Sequence, residues 1–207
     1  THLDSFSLRE GAMKALVSLG RPHQIVELER ETSSQSETVA EAIEQLGITG
    51  QILVKDCDAF FLSEHQEGNF VHVHSLQKVG NINASSKSYV DIDTNNLVKT
   101  IVEKEVISDA FCCGGYGFSE ASKFVKTYKH ISSLQEEEIY VSHIIYQLIL
   151  EGSNFTAHNT DGFKDWGTIT DWNAYKKQYK TLFLDIDGVL VENSGELSAK
   201  PWGSTSA

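Results

Sequence analysis

Two aspartates near the end of the chain have the residue types and the spacing for phosphate chemistry. Asp185 and Asp187 follow the apolar run 181–184 and precede Gly188. Side chains alternate along a strand, so carboxylates two positions apart lie on the same side. At the carboxyl edge of a sheet, such a pair can share a divalent cation and meet a phosphate. We therefore expect metal-dependent phosphate chemistry at this motif.

A second pair of aspartates is widely separated in the sequence. Asp58 follows the apolar segment 51–54, and Asp165 lies in the segment 163–168, FKDWGT. Two carboxylates brought together at a sheet edge are the minimum protein contribution to a Mg²⁺ ion that also binds phosphate oxygens. Asp58 and Asp165 are candidates for such a pair. The alternatives are a capping role for Asp58 and a tight turn at Asp165.

The apolar periodicity predicts helices and strands that alternate along the chain. The expected helices are 5–19, 38–46, 119–130, 137–151 and 172–179. The expected strands are 23–28, 51–54, 70–76, 89–93, 97–103, 110–118, 155–158 and a final strand from 181, with a hairpin turn at 94–96. This alternation is typical of the α/β class with a mostly parallel, Rossmann-like sheet.

Composition argues against several classes of function. The formal net charge is −12, and no basic cluster offsets it, so we expect no nucleic-acid partner. The three cysteines form no CxxC pair, which is typical of a reducing cytoplasm. We find no signal peptide and no apolar run as long as a membrane span, so we expect a cytoplasmic protein without a membrane partner.

The run 181–190, TLFLDIDGVL, resembles the first motif of the haloacid-dehalogenase-like phosphatases. The resemblance implies that Asp185 attacks phosphorus to form an aspartyl-phosphate, that Asp187 protonates the leaving group, and that both bind Mg²⁺. It also implies that residues 179–207 begin a phosphatase-like domain, which follows a first domain at residues 1–178.

The first domain resembles the sugar-phosphate nucleotidyltransferases, which join a sugar phosphate or choline phosphate to a nucleotide. Four segments occur in the order of that family: Asp58-Ala59-Phe60-Phe61, Glu103-Lys104, Cys113-Gly114-Gly115-Tyr116 and Asp165-Trp166-Gly167-Thr168. The resemblance implies a nucleotide-diphospho-sugar transferase type of sheet, a nucleoside triphosphate and a sugar 1-phosphate as substrates, and Mg²⁺ held by Asp58 and Asp165.

The same resemblance implies roles for four further residues. Glu103 would accept hydrogen bonds from substrate hydroxyls, and Lys104 would place its charge near the substrate phosphate. Gly114 would let the backbone approach the sugar. Gln35 lies in the segment 32–39, where the family reads the base. Solvated charges at 103–104 and a bulge at the glycines are the alternative interpretations.

One element of the family is missing from the sequence. The family opens with a glycine-rich loop and a basic residue that cradle the triphosphate, and nothing before Asp58 matches them. We therefore expect that the chain is a fragment that begins inside the first domain, ends early in the second and does not turn over substrate as it stands.

The expected function is that of a fused enzyme. The first domain would make a nucleotide-activated sugar and pyrophosphate for surface or capsular polysaccharide synthesis, as the resemblance implies. One alternative is a phosphatase of sugar phosphates with the first domain as a recognition module. The other is a non-catalytic binding domain that has lost the loop.

Overall fold

Helices and strands alternate along the part of the chain that the computed structural model describes, residues 8–178 without 19, 21 and 81. The helices are α1 Leu8–Ser18, α2 Gln35–Leu46, α3 Ala121–Ser132, α4 Val141–Leu150 and α5 Ile169–Lys176. The strands are β1 Ile52–Lys55, β2 Ala59–Leu62, β3 Phe70–Ser75, β4 Ser88–Ile92, β5 Val98–Glu103, β6 Ala110–Phe118, β7 Thr156–Asn159 and β8 Asp161–Asp165. The expected strand from 181, with Asp185 and Asp187, lies outside the described residues.

The main sheet is built around β6. Its strand order is β5-β4-β6-β3-β7, and β1 pairs with the C-terminal half of β6. The α/β class is therefore confirmed, but the strand directions differ from the expected mostly parallel sheet. Among the described strands, β3 and β7 pair in parallel, whereas β1–β6, β3–β6, β4–β5 and β4–β6 are antiparallel.

The hairpin between β4 and β5 gives the physical reason for one of these antiparallel pairs. A short turn can join only antiparallel neighbours, whereas a parallel pair needs a long crossover. Asp93 makes this turn: its Oδ1 accepts hydrogen bonds from the backbone N–H groups of Asn95 at 2.8 Å and Leu97 at 2.9 Å. Asn96 takes the left-handed conformation, with φ 62°. The turn predicted at 94–96 is confirmed.

One face of the sheet packs against helices. Ile144 and Ile145 of α4 are fully buried, and they recur with Val141 and Leu148 at helical spacing, which makes one apolar stripe. The ring of Phe118, at the end of β6, packs edge-on against neighbouring aromatic rings of this core. This packing fixes β6 and, through it, the strands on either side.

The opposite face is covered by the two-stranded sheet β2–β8. Phe61 and Phe163 of these strands pack over a second core that contains Tyr89, Phe111 and Cys113. The ring centroids of Phe111 and Phe163 are 5.1 Å apart. The segment that follows β1 is therefore folded back onto the sheet, directly after Asp56 and Asp58.

The chain divides into two compact units, Thr1–Lys164 and Asp165–Ala207. The described part of the second unit contains the turn at Asp165 and helix α5. Thr168 caps this helix by accepting a hydrogen bond from the backbone N–H of Asp171 at 3.1 Å. The domain boundary expected between residues 178 and 179 stays a prediction. No helix in the described residues has both the length and the apolar character needed to cross a membrane.

Candidate functional site

A polar cavity of about 200 Å³ lies in the first unit, where β1, β5 and β6 meet the start of α2. Five residues singled out from the sequence line it, although they are far apart along the chain: Gln35, Asp58, Glu103, Lys104 and Gly114. The structure thus brings these five together, and their roles toward a substrate stay predictions.

Asp56 enters the cavity at the end of β1. Its backbone N–H donates to the carbonyl of Gly114 at 2.8 Å, and its Oδ1 accepts from the side-chain amide of Gln35 at 2.5 Å. Burial raises the pKa of the Asp56 carboxyl, and the nearby charge of Asp58 acts in the same direction, while the Gln35 hydrogen bond opposes both. The cavity therefore holds two neighbouring carboxylates, one half-buried and one exposed.

Gly114 makes room for the Asp56 carboxylate. A Cβ at position 114 would lie 2.5 Å from Oδ2 of Asp56, and the backbone has φ +84°. The pairing of β3 with β6 also shifts register here, between Val71 and Val73. The bulge considered as an alternative is therefore present, and the close approach that the structure shows is to Asp56. An approach of Gly114 to a sugar stays a prediction.

Gln35 is the first residue of α2, and the start of this helix is tightly held. Ser34 is its N-cap and accepts from the backbone N–H of Glu37 at 3.2 Å. The Glu37 carboxylate accepts in return from the backbone N–H of Ser33 at 2.5 Å and from Arg30 at 2.7 Å. These hydrogen bonds, the Ser33 one first, lower the pKa of Glu37 to about 2. The Gln35 backbone is therefore fixed beside the cavity.

Glu103, the last residue of β5, is held by two serine hydroxyls. Ser88 and Ser142 each donate to its Oε2 at 2.5 Å. Ser88 is the residue paired with Glu103 across the β4–β5 hairpin, and Ser142 is in the first turn of α4. A strand and a helix therefore fix the position of one carboxylate.

Lys104 follows β5 in a left-handed conformation, with φ +59°. Its backbone N–H donates to the carbonyl of Lys87 at 3.0 Å. Its ammonium donates to the hydroxyl of Tyr140 and lies 4.2 Å from the centroid of that ring, while Tyr140 donates in turn to Glu138. The Tyr140 hydrogen bond raises the pKa of Lys104. Lys87 and Lys104 both line the cavity and supply its positive charge.

The three cysteines are all free thiols. Cys57, between Asp56 and Asp58, is exposed, whereas Cys112 and Cys113 are buried beneath the cavity. Burial raises the pKa of both buried thiols, that of Cys113 to about 11. Such thiols remain protonated at neutral pH and are poor nucleophiles.

Comparison with known proteins gives no match to any family model and none to any curated protein sequence. Solved structures do match. The nucleoside-diphosphate-sugar pyrophosphorylase from Vibrio cholerae RC9 superposes with a TM-score of 0.69 at 23% identity, over 86% of this chain and 78% of its own. The chain therefore has the nucleotidyltransferase fold.

Two further structures with this fold are similar to the chain. The inositol-1-phosphate CTP transferase from T. maritima superposes with a TM-score of 0.61 at 16% identity, over 82% of this chain and 70% of its own. A UDP-glucose pyrophosphorylase complexed with UDP-glucose gives a TM-score of 0.60 at 13% identity, over 84% of this chain and 74% of its own. The nucleotide-diphospho-sugar transferase type of sheet expected from the sequence is confirmed.

The remaining expected site residues are Asp165, Asp185 and Asp187. Asp165 belongs to the second unit, where its Oδ1 accepts from the backbone N–H of Gly167 at 2.9 Å, as in the tight turn considered as an alternative. Its pairing with Asp58 stays a prediction. Asp185 and Asp187 lie outside the described residues. In the described part of the chain, no three His, Cys, Asp or Glu residues are grouped to hold a metal.

The sequence interpretation missed several residues of the site, among them Asp56, Ser88 and Ser142. Asp56 could have been found from its spacing, because it is two positions before Asp58 and its carboxylate adds to the same acidic strand end. Ser88 could have been found from the hairpin, whose register pairs it with Glu103. No sequence signal indicates Ser142, because its contact with Glu103 depends on how α4 packs against the sheet.

Proposed function

We propose that the chain is part of the catalytic domain of a sugar-phosphate nucleotidyltransferase. The reaction joins a nucleoside triphosphate to a sugar 1-phosphate and releases pyrophosphate. The observation that carries the proposal is that Gln35, Asp58, Glu103, Lys104 and Gly114, which the family resemblance singles out in separate segments of the sequence, line one cavity in a chain with the nucleotidyltransferase fold.

In this reaction a phosphate oxygen of the sugar 1-phosphate attacks the α-phosphorus of the nucleotide. The new O–P bond forms as the bond between the α-phosphorus and its bridging oxygen breaks, and that oxygen leaves with pyrophosphate. The protein's part is to position the two phosphates and to balance their charge. Lys87 and Lys104 provide positive charge in the cavity, and Glu103 accepts hydrogen bonds from sugar hydroxyls.

Asp56 and Asp58 fit the oxygen-donor chemistry of Mg²⁺. Both are carboxylates in one cavity. Burial raises the pKa of Asp56 and the charge of Asp58 adds to this effect, and a divalent cation would relieve the repulsion between the two carboxylates. We propose that they hold Mg²⁺ together with phosphate oxygens and Asp165. The ion would supply charge neutralisation at the phosphates.

Measurement of pyrophosphate release by the protein expressed from its complete reading frame tests this proposal. With a nucleoside triphosphate, glucose 1-phosphate and Mg²⁺, we expect release that EDTA abolishes. Asp58→Asn should lower kcat/KM by about a hundredfold or more, because a metal stabilises the transition state by several kcal/mol.

The matched control is Asp91→Asn, which removes an exposed carboxylate of β4 outside the cavity and should leave kcat/KM within about twofold. Full activity of Asp58→Asn, or no pyrophosphate with any common nucleoside triphosphate, would contradict the proposal.

The segment 181–190 supports a second activity. Its DxDG pattern resembles a phosphatase nucleophile motif, so the protein would also release phosphate from a sugar phosphate. Asp185→Asn should abolish that release, and Asp58→Asn should leave it unchanged. A phosphatase alone, with the first domain as a recognition module, is indicated if phosphate release is found without pyrophosphate release. Use of the activated sugar in surface polysaccharide synthesis belongs to the proposal as well.

A further inference from the structure

The Glu103 carboxylate presents only one of its two oxygens for a ligand. A serine hydroxyl has one hydrogen to donate, and Ser88 and Ser142 both use theirs on Oε2. Oε1 accepts no hydrogen bond from the described residues, and Glu103 lines the cavity. Since a carboxylate is acceptor-only, a ligand group at Oε1 has to be a donor such as a hydroxyl.

The two serines are enclosed, which makes this arrangement rigid. Ser88 is 8% exposed and Ser142 is 2% exposed. They belong to a strand and a helix that pack into the same core, so neither hydroxyl can follow Glu103 if the carboxylate turns. A side chain locked by such supporting contacts is preorganised for its ligand.

Two aromatic rings of the cavity, those of Tyr140 and Phe163, each lie beside a lysine ammonium group. The Lys104 ammonium lies 4.2 Å from the ring centroid of Tyr140, and the Lys87 ammonium lies 6.0 Å from that of Phe163. A quaternary ammonium group is recognised by open aromatic faces. Here it would meet two like charges at those faces, whereas a phosphate would be attracted to them.

We propose that Ser88 and Ser142 are positioning residues that hold Glu103 as a receptor for the hydroxyl groups of a polyhydroxylated phosphate ester, and that the cavity selects this class over a quaternary-ammonium phosphate. The inference rests on the proposed function and defines its phospho-acceptor as a sugar or cyclitol phosphate and not a choline phosphate.

Calorimetric titration of the protein with four probes tests the selection. We expect glucose 1-phosphate and myo-inositol 1-phosphate to bind at least about tenfold more tightly than phosphocholine and inorganic phosphate, because only the first two bring donors to Oε1. The proposal is overturned if phosphocholine binds as tightly as glucose 1-phosphate. It is also overturned if inorganic phosphate binds as tightly as glucose 1-phosphate, or if none of the four probes binds.

Serine variants test the positioning role. Ser88→Ala and Ser142→Ala should each weaken glucose 1-phosphate binding by about tenfold and leave phosphocholine binding unchanged. The matched control, Ser108→Ala, removes another partly buried hydroxyl, which donates to the carbonyl of Val90 outside the cavity, and should change neither. Equal weakening of both probes would indicate a merely structural role and contradict the proposal.

Glu103→Gln keeps the size of the side chain if a serine variant fails to fold. We expect it to lose the preference for glucose 1-phosphate over phosphocholine, and a retained preference would contradict the proposal. These titrations do not depend on turnover. Failure of the proposed function, seen as absent pyrophosphate release, is therefore distinguishable from failure of this selectivity.

Discussion

His72 is an imidazole that is buried among aromatic rings. It is 3% exposed, its ring packs against those of Phe61 and Phe70, and neither ring nitrogen has a partner among the described residues. Burial, and secondarily the neighbouring His158, lowers the pKa of His72 from 6.5 to about 4. The folded protein therefore holds this side chain neutral under conditions where the unfolded chain would protonate it.

This difference predicts a loss of stability in acid. Because the folded pKa is below the unfolded one, the contribution of His72 is complete above pH 6.5 and is lost as the pH falls toward 4. We expect this protonation difference to lower the free energy of unfolding by about 3 kcal/mol over that interval, because each unit of pKa shift corresponds to about 1.4 kcal/mol. His72→Leu should remove this part of the pH dependence, as measured by urea denaturation at several pH values.

His65→Gln is the control for the His72 measurement, because it removes an exposed imidazole. Its pH profile should match that of the parent protein. If the free energy of unfolding of His72→Leu depends on pH as strongly as that of the parent protein, His72 is not held neutral in the fold.

At Gly114, the clash of a side chain with Asp56 can be measured separately from backbone strain. Gly114→Ala places a Cβ against Asp56 in a left-handed backbone, whereas Gly152→Ala meets the same backbone restriction, with φ +89°, in open space. We expect Gly114→Ala to be less stable than Gly152→Ala by about 2 kcal/mol, since overpacking adds to the strain. Thermal unfolding of both variants measures the difference, and equal losses would contradict the contact with Asp56.

At this scale the sequence was informative about single residues that stand in a motif. It indicated Gln35, Asp58, Glu103 and Lys104 because their segments resemble those of the nucleotidyltransferases, and all four line the cavity. It did not indicate that Gly114 accommodates Asp56, since that contact joins β6 to the end of β1 and exists only after the strands pair.

Among the elements, helix α2 has a direct connection to the cavity through its first residue, Gln35. Ser34→Ala removes the cap at this end and should lower the free energy of unfolding by about 1 kcal/mol, because a backbone N–H loses its acceptor. Denaturant titration measures this change. Ser34→Gly is the control and should cost only a few tenths of a kcal/mol, because glycine is tolerated at the cap. A larger loss for glycine than for alanine would contradict the capping role.

Local sequence patterns predicted most helices and strands well. They failed where strand formation depends on pairing with a neighbouring strand. The bounds of β6, 110–118, are those expected, because apolar residues and flanking turns define both ends. The expected strand at 23–28 is absent, because this segment pairs with no neighbouring strand in the described residues. Helix α3 begins at Ala121, two residues after the expected start at 119.

At the scale of the whole molecule, β6 is the strand on which the others depend. It pairs with β1, β3 and β4, and residues 111–118 are all buried. Amides with such protection exchange only on global unfolding, whereas those of short outer strands open locally. We expect the amides of 111–118 to exchange with deuterium last and those of β2 early, as measured by mass spectrometry. Faster exchange in β6 than in β2 would contradict this arrangement.

The strand directions were the part of the architecture that the sequence could not give. Alternation of helices and strands predicts layers, but direction depends on which strands become neighbours, and β6 pairs with strands from three separate parts of the chain. The cavity also depends on contacts between distant parts of the chain. Its walls come from residues 35 to 163, so its shape follows from long-range pairing.

The exposure of one thiol among three has a practical consequence. A maleimide dye would react with Cys57 in the native protein, while Cys112 and Cys113 stay enclosed until the chain unfolds. The unaltered sequence thus carries its own attachment point for a fluorophore, between the two acidic side chains of the cavity. Ligand arrival can be followed there by stopped-flow emission without introducing any substitution.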